Sequence, residues 1–243
     1  MRILVIADVH ANLAAFRAVL DAAESDGGFD RIWCLGDVVG YGADPGECID
    51  LLNSFENVTI AGNHDLAAAG IIGIEDFNPL AAAAITWTKD HLQPQHEEWL
   101  RGLPLTHEEF DFTLVHGSLR DPVWDYLLSP SLAEVNFRRQ KTPYCLVGHS
   151  HMPIAFRDSE GPIEGVVLSD STVFELDGTE FVANPGGLGQ PRDGDKRSCY
   201  ALLDLDARRL EFHRVEYDVA ASQARMRAAF LPPHLIERLE RGR

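Results

Sequence analysis

The chain has 243 residues, of which 38 are acidic and 21 are lysine or arginine, so its formal net charge is −17. A hydrophobic content of 45% is enough to bury a core and excludes intrinsic disorder as the main state of the chain. A surface this acidic repels polyanions, which argues against nucleic acids and anionic membranes as the main partners.

The first third of the sequence alternates strand and helix patterns. Continuous apolar runs predict buried strands over residues 3–7, 31–35 and 57–61. Asn12 can cap a helix after the first strand, and Asp44 followed by proline marks the start of a second helix. This βαβαβ order predicts a parallel sheet that is covered on both faces.

The patterns change after the third strand. Residues 66–106 are rich in alanine and predict a helical insertion, and strand signals return at 112–115 and 144–147. Short runs bounded by turn residues predict antiparallel strands between 163 and 215. They are expected at 180–183, 199–204 and 209–215. The tail, about residues 218–241, predicts amphipathic helices, and the length as a whole favours one domain over residues 1–243.

No segment of the sequence indicates export or a membrane. The N-terminal apolar run is interrupted by Asp8, and no apolar run approaches the roughly 18 residues that a membrane span needs. The four cysteines are widely spaced without a C-x-x-C pair, which is not the pattern of a disulfide framework. We therefore expect a cytoplasmic protein without a membrane association.

Polar residues follow the ends of five predicted strands. In parallel α/β sheets, ligands bind beyond the carboxyl ends of the strands, so these residues are expected in one crevice. Histidine, aspartate and asparagine also supply the nitrogen and oxygen ligands that suit Mn, Zn, Fe or Ni. The residues are Asp8, His10, Asp37, Asn63, His64, His116, His149 and His151.

Each of these residues taken alone has a simpler interpretation. Asp8 or Asn63 could be a helix cap, Asp37 after a glycine could be a turn residue, and an isolated His116 could be structural. Separate caps and turns have no reason to occur at five strand ends, however. The joint pattern therefore favours a metal site.

The same residues form five ordered motifs that span residues 8–151. The sequence resembles the calcineurin-like metallophosphoesterase superfamily, and within it the small bacterial and archaeal phosphodiesterase-type branch. The resemblance implies an α/β fold, a four-layer α/β/β/α sandwich of two mixed β-sheets flanked by helices. It also implies two divalent metal ions (Mn, Zn, Fe or Ni). The motifs are Asp8-x-His10, Gly36-Asp37-x-x-Gly40, Gly62-Asn63-His64-Asp65, His116 and Gly148-His149-Ser150-His151.

The resemblance also assigns roles to these residues. The implied first metal is held by Asp8, His10 and His151, the second by Asn63, His116 and His149, and Asp37 bridges the two. Two such ions would make the site locally positive within an acidic protein. The implied reaction is in-line attack on phosphorus by a hydroxide shared between the ions. His64 is the implied general acid, and Asp65 could orient its ring or serve as a residue of the first helical turn.

The second motif distinguishes this chain from other branches of the superfamily. Tyr41 stands where protein phosphatases and dinucleoside-tetraphosphate hydrolases carry a phosphate-clamping arginine, and Ala61 replaces a second arginine. Their loss favours phosphodiesters, because bidentate arginines help a monoester dianion most. A phosphomonoesterase, a protein phosphatase and a nucleotide hydrolase stay open as alternatives. So does a non-catalytic scaffold, against which His64 argues.

A second glycine-rich segment, residues 184–194, resembles a segment of the same branch. The backbone N–H groups of Gly186 and Gly187 could approach a phosphate, although a turn between strands explains these glycines equally well. Arg192 is the nearby cation that could replace the missing arginines. Together with Asn63, His64 and Tyr41, these residues form the predicted substrate site.

The sequence indicates the identity of the substrate less clearly. Trp124, Tyr126 and the insertion at 66–106 could line the entrance and stack on a base or aryl group, while core packing is the alternative. We expect a small phosphate ester as the substrate. The tail helices are compatible with packing on the domain or with a homo-oligomer.

Overall fold

A computed structural model of the protein describes residues 1–158 and 161–243, which form twelve strands and eight helices. The strands are β1 (Arg2–Ile6), β2 (Arg31–Cys34), β3 (Asn57–Thr59), β4 (Thr106–Glu109), β5 (Phe112–Val115), β6 (Tyr144–Leu146), β7 (Ile154–Arg157), β8 (Gly165–Val167), β9 (Thr172–Glu175), β10 (Phe181–Asn184), β11 (Ser198–Asp204) and β12 (Arg209–Val215). The helices are α1 (Leu13–Ser25), α2 (Pro45–Asn53), α3 (Asn63–Ala68), α4 (Pro79–His91), α5 (Pro94–Arg101), α6 (Pro130–Phe137), α7 (Val219–Ala228) and α8 (Pro233–Arg241).

The strands form two mixed sheets, as the resemblance implied. In the first, β1, β2 and β3 are parallel, as predicted from the βαβαβ pattern, and β11, β12 and β9 continue it in antiparallel pairs. The second has the order β4-β5-β6-β10-β7-β8. Strand β10 was expected to be antiparallel. It is antiparallel to β7 but parallel to β6, because it lies at the junction of the two halves of this sheet.

The alternation of side chains along β1 generates the layers. Ile3 and Val5 point between the two sheets, where they share a core with Phe181 of the second sheet. Leu4 and Ile6 point the other way and pack with α1 and α2. Helix α6 covers the outer face of the second sheet. The expected four-layer α/β/β/α arrangement is confirmed.

Helix α1 begins with the capping hydrogen bond that the sequence predicts. Helix α2 begins at the predicted residue but lacks the predicted cap. Asn12 caps α1, its Oδ1 accepting a hydrogen bond from the Ala15 N–H at 3.2 Å. Helix α2 begins at Pro45 as expected, but the side chain of Asp44 makes no cap bond. It pairs instead with Arg225 of α7, a residue 181 positions away. A cap predicted from the local sequence is thus replaced by a contact to the tail.

The insertion and the tail meet near the predicted site. Helices α4 and α5 lie within the predicted insertion, and α7 and α8 within the predicted tail. Leu235 and Leu239 of α8 share a hydrophobic cluster with Ala84 of α4 and with Tyr41. The tail therefore supports the loop that carries Tyr41.

The cysteines and the helices can be compared with the sequence analysis of disulfides and membrane spans. All four cysteines are buried and carry free thiols, which agrees with the absence of a disulfide pattern in the sequence. Within residues 1–158 and 161–243, no helix combines the length and the hydropathy needed to cross a membrane.

Candidate metal centre and active site

The ends of four strands and the start of α3 bring the predicted residues together. Strands β1, β2, β5 and β6 end directly before the segments that carry them. All eight side chains are at most 4% exposed. They are Asp8, His10, Asp37, Asn63, His64, His116, His149 and His151. Buried polar side chains in such number need partners, which makes this cluster the candidate site.

The cluster has two lobes that share one region. Asp8, His10 and His151 offer ligand atoms that all lie within 4.8 Å of one another, and so do Asp37, His116 and His149. The Oδ2 atom of Asp37 lies 3.6 Å from His10 Nε2 and 3.4 Å from His116 Nε2, so this carboxylate reaches both lobes.

Asn63 joins the second lobe, with its Oδ1 atom 3.3 Å from Nε2 of His116. Nδ1 of His149 lies 3.2 Å from the same nitrogen. In the first lobe, Nε2 of His151 lies 3.6 Å from Oδ1 of Asp8. The seven residues that the resemblance implied as metal ligands are therefore adjacent, in the two groups expected.

Backbone carbonyls orient three of the imidazole rings. In each case Nδ1 contacts a carbonyl oxygen, which can only accept a hydrogen bond, so Nδ1 carries the hydrogen. Nε2 then faces the cluster, as in histidines that bind metals. The contacts are His10 to Val39 (3.0 Å), His116 to Leu35 (2.8 Å) and His151 to Gln190 (2.5 Å).

The donor set fits a divalent cation. Nε2 of His10 and Nε2 of His151 lie 3.1 Å apart, and each presents a lone pair to the other. Burial lowers the pKa of both rings well below the ordinary value, so a proton does not bridge them. Oδ2 of Asp8 and Nε2 of His149 are buried without a hydrogen-bond partner among the described residues. Neutral imidazoles with carboxylates suit Mn, Zn, Fe or Ni.

The carboxylates differ in charge state. Burial alone would raise the pKa of Asp37, but His116 and His64 hold it well below the ordinary value. Burial would lower the pKa of His116, but Asp37 raises it to about 9, so without a cation this ring carries a second proton, which a bound cation would displace. The pKa of Asp8 is raised to about 7, mainly by burial. Asp37 thus stays ionised and provides the fixed negative charge between the two lobes.

Five of the implied metal ligands have a left-handed backbone. Such φ values cost a residue other than glycine about 1–2 kcal/mol and persist where the surrounding structure enforces them, often at functional sites. The N–H of Asp8 donates to the carbonyl of Gly36 at 3.0 Å, and its own carbonyl accepts from Gly189 at 2.9 Å. The five are Asp8 (φ 56°), His10 (φ 48°), Asp37 (φ 55°), His149 (φ 64°) and His151 (φ 58°).

His64 lies at the start of α3, beside the two lobes. Its backbone N–H donates to Oδ1 of Asp37 at 2.9 Å. The ring packs against Tyr41 and Phe77, at centroid distances of 4.4 and 5.1 Å. Nδ1 faces Gly40, where a Cβ would overlap it, so Nε2 is the nitrogen on the cavity side. Burial lowers the pKa of this ring to about 4.

The expectation that Asp65 orients the His64 ring is wrong. Its Oδ2 atom accepts from the backbone N–H groups of Asp37 (2.7 Å) and Gly62 (3.0 Å), and Oδ1 accepts from that of Val39 (3.2 Å). Asp65 therefore holds the loop that carries Asp37 against the start of α3. The alternative interpretation, a residue of the first helical turn, is the one the hydrogen bonds support.

Replacing Asp65 by alanine tests this assignment. Three buried N–H groups would lose their acceptor, so we expect metal affinity to fall by about 10–100-fold, as for other residues that support metal ligands. Titration of the stripped protein with Mn²⁺ or Zn²⁺ measures it. Asp65→Asn, which keeps one acceptor oxygen, should lose less. If metal affinity is unchanged and turnover is slower, the result would instead favour a role of Asp65 in orienting the His64 ring.

The expectation that Gly186 and Gly187 bind phosphate is also wrong. The N–H of Gly186 donates to Oδ1 of Asn184 at 2.8 Å, and that of Gly187 donates to the carbonyl of His151 at 3.3 Å. Both donors are therefore used inside the protein. A Cβ on Gly187 would lie 2.8 Å from Cβ of His151, so glycine is needed here for close packing against this histidine.

Arg192 and Tyr41, two residues of the predicted substrate site, lie close together. Both line a cavity of about 160 Å³ beside the cluster. The Arg192 guanidinium is 5.7 Å from the Tyr41 ring centre and donates to Gln190 at 3.0 Å. Nε of Arg192 is buried without an acceptor, and no carboxylate in the described part of the chain forms a salt bridge with it. Arg192 thus reaches the neighbourhood of Tyr41 from a distant segment.

Aromatic side chains also line the cavity. Trp124 and Tyr126 line it, as one of the two interpretations of the sequence expected, and Phe77, Asp76 and Asn78 join them. The last three were not identified from the sequence. The Asn78-Pro79 pair at the start of α4 was the available signal, since Asn78 caps that helix.

The fold and the cluster together define a metal-site protein built on a two-sheet α/β sandwich. The sequence profile of the calcineurin-like phosphoesterase superfamily domain matches residues 1–208. The chain belongs to this superfamily, whose members are metal-dependent, and the protein is a hydrolase acting on phosphoester bonds.

Several relatives match the chain over its whole length or nearly so. The crystal structure of a metallophosphoesterase from Sphaerobacter thermophilus is 45% identical, with a TM-score of 0.91, and the match covers 100% of this chain and 99% of that one. An uncharacterised protein of Methanocaldococcus jannaschii is 36% identical, covering 99% of this chain and 98% of that protein.

A protein whose name states an enzymatic activity matches part of the chain. A symmetrical bis(5'-nucleosyl)-tetraphosphatase of Aromatoleum aromaticum is 33% identical over 131 residues, which are 51% of this chain and 46% of that protein. The chain thus spans about half the length of the tetraphosphatases it matches.

Proposed function

We propose that the protein is a dinuclear metal-dependent phosphoesterase that hydrolyses phosphodiester bonds in small substrates. The observation that carries the proposal is the pair of Nε2 lone pairs of His10 and His151, 3.1 Å apart, beside a carboxylate that reaches both lobes. When bound, two divalent cations supply positive charge for phosphoryl oxygens and acidify water towards neutral pH.

The protein's own groups would supply binding and proton transfer. Asp8, Asp37 and the imidazoles would hold the cations, and Arg192 would bind a phosphoryl oxygen from the Tyr41 side of the cavity. His64 would hold a proton at Nε2 for the leaving oxygen, since its Nδ1 abuts Gly40. Because burial lowers the pKa of this ring to about 4, the imidazolium would form only when the negative charge of a bound phosphoryl group lies beside it. Tyr41 would keep the His64 ring in place, at a centroid distance of 4.4 Å.

The preference for a diester follows from the number of cationic side chains. Arg192 is the arginine that lines the cavity among the described residues. A phosphomonoester dianion gains most from bidentate arginine clamps, whereas a diester carries one negative charge and needs fewer. The cavity of about 160 Å³ and the net charge of −17 support a small substrate over a polyanion.

A second candidate is hydrolysis of a nucleotide, such as a dinucleoside polyphosphate. It is favoured by the partial match to a bis(5'-nucleosyl)-tetraphosphatase. The match covers 51% of this chain and less than half of that enzyme. A direct comparison of kcat/KM on nucleotides and on simple diesters separates the two candidates.

The proposed activity is tested with aryl phosphates. The protein is stripped of metal and assayed with Mn²⁺ or Ni²⁺ on bis(p-nitrophenyl) phosphate and on p-nitrophenyl phosphate. We expect metal-dependent turnover with the higher kcat/KM on the diester. A higher value on the monoester would reverse the preference. Metal-loaded protein without turnover on diesters, monoesters and nucleotides would contradict the proposal as a whole and favour the scaffold.

Replacing Arg192 by alanine should weaken substrate binding. Hydrogen bonds to charged groups contribute about 1.5–3 kcal/mol, so we expect KM to rise by about tenfold or more. Arg192→Lys should be intermediate, because it keeps the charge without the planar fork. Arg197→Ala is the matched control, since Arg197 pairs with Asp195 and Asp170 and does not line the cavity. Equal KM values for Arg192→Ala and the native protein would remove Arg192 from the substrate site.

A further inference from the structure

The cavity is lined by side chains of different chemistry. Arg192 and Tyr41 line it together with imidazoles of the cluster. Three aromatic rings, an exposed carboxylate and an exposed amide also line it. These residues are Phe77, Trp124, Tyr126, Asp76 and Asn78. We refer to them as the aromatic wall.

The rings of the aromatic wall are fixed by their neighbours. Phe77 meets His64 edge-on at 5.1 Å, and Trp124 meets Phe77 edge-on at 5.0 Å. Tyr126 stacks on His149 at 4.1 Å with an interplanar angle of 19°, yet it is 47% exposed. One face of this tyrosine is therefore covered by the cluster and the other is open to solvent.

The loop that carries Trp124 and Tyr126 is ordered by side-chain hydrogen bonds. Oδ1 of Asp121 accepts from the backbone N–H of Trp124 at 3.0 Å. The carboxylate of Asp125 accepts from Ser118 Oγ at 2.6 Å and from Arg120 Nε at 2.8 Å. A preformed ring binds a flat ligand at a low entropic cost, because little freedom remains to be lost.

The size of the cavity places the ester group at this wall. Sites for whole small molecules usually enclose about 300–1,000 Å³. The 160 Å³ available here suffices for a phosphoryl group and leaves the attached ester group to extend past the rim. Tyr126 and Trp124 are the apolar surfaces available at that rim.

We propose that the aromatic wall binds the nucleoside of a nucleoside phosphodiester, with the base stacked on Tyr126 and Trp124. This inference rests on the proposed phosphodiesterase function. Stacking on aromatic side chains suits any base, since every base has a π-face. Asp76 and Asn78 offer polar atoms to the hydroxyl groups of a sugar. A further phosphate beside these rings would be repelled by the Asp76 carboxylate, so the wall favours a nucleoside over a polyphosphate chain.

Two substrates with the same leaving group test the inference. Thymidine 5'-(p-nitrophenyl phosphate) and methyl p-nitrophenyl phosphate both release p-nitrophenolate, and they differ in the group that stays on phosphorus. We expect kcat/KM of the native protein to be higher on the thymidine ester by about tenfold or more. In Tyr126→Ala and Trp124→Ala this ratio should fall towards one, mainly through KM for the thymidine ester.

Conservative variants and a distant aromatic residue provide the controls. Tyr126→Phe and Trp124→Phe keep a ring and should keep most of the ratio. Phe230→Ala should leave the ratio unchanged, because Phe230 is 94% exposed and does not line the cavity.

Each outcome has a separate meaning. Turnover of both esters with a ratio near one in the native protein would overturn the nucleoside inference and leave the phosphodiesterase intact. Equal losses on both esters in Tyr126→Ala would overturn it as well, since Tyr126 would then act only through His149. Failure to hydrolyse either ester in the metal-loaded native protein would overturn the proposed function itself.

Discussion

Replacing Asp37 by alanine is expected to abolish hydrolysis and to lower the metal content of both lobes. Its Oδ2 atom lies within 3.6 Å of Nε2 of His10 and within 3.4 Å of Nε2 of His116, so one carboxylate serves both groups of ligands. Loss of the shared ligand removes the negative charge between the cations. We expect kcat to fall by about three orders of magnitude or more, which corresponds to about 4 kcal/mol of transition-state stabilisation.

Single-lobe variants make this prediction specific. His151→Ala removes a ligand of the first lobe and His116→Ala one of the second, so each should lower the metal content by about one ion per chain. Asp37→Ala should lower it further than either. Elemental analysis after gel filtration measures the content, and circular dichroism shows whether each variant is folded. A full ion retained by Asp37→Ala would contradict a bridging role.

A folding control is needed because Asp37 is buried. The carboxylate pairs with His116 at 1% and 0% exposure, and removal of one partner from a buried pair typically costs about 3–5 kcal/mol. Asp37→Asn keeps an oxygen for the His64 N–H while it removes the charge. If the asparagine variant is folded and loses metal, the effect belongs to the missing charge and not to unfolding.

The sequence pattern was sufficient for the parallel strands and for the position of the cluster, while the four layers were implied by the family resemblance. Side chains alternate along β1, so Ile3 and Val5 pack in the core between the two sheets. Leu4 and Ile6 pack in the other core, against the helices. Strand ends are also local features, so the polar residues that follow them could be assigned to one edge of the sheets without coordinates.

Contacts between distant segments could not be predicted in the same way. The carboxylate of Asp65 could have turned to His64 or to the loop after β2, and only the folded backbone decides that it meets Asp37 and Val39. The N–H groups of Gly186 and Gly187 look free in the sequence for the same reason. Their acceptors are Asn184 at the end of β10 and His151 in the segment between β6 and β7, so the second pairing depends on how two distant segments meet.

One residue of the aromatic wall could not be predicted from the sequence either. Phe77 lies in the predicted helical insertion, and its aromatic character alone is equally typical of a core residue. It reaches the site because α4 begins at Pro79 and places the preceding residues over His64. The sequence located the segment that lines the entrance but could not single out the residue.

His64→Ala is expected to slow hydrolysis according to the leaving group while the metal content is retained. A general acid contributes about 10²–10⁴-fold when the leaving oxygen is basic, and much less when it is p-nitrophenolate. We therefore expect a large loss on an alkyl diester and a small loss on bis(p-nitrophenyl) phosphate. A plot of log kcat against leaving-group pKa should be steeper for the variant than for the native protein.

The position of His64 makes a competing role testable in the same experiment. His64, His10 and Asp37 offer ligand atoms within 4.8 Å of one another, so this ring is close enough to bind a cation. If it is a ligand, His64→Ala should lose metal and slow all substrates equally. His64→Gln, which can hydrogen-bond but cannot donate a proton as an acid, should behave like the alanine variant if the ring acts as the acid. Parallel plots for the variants and the native protein would contradict that role.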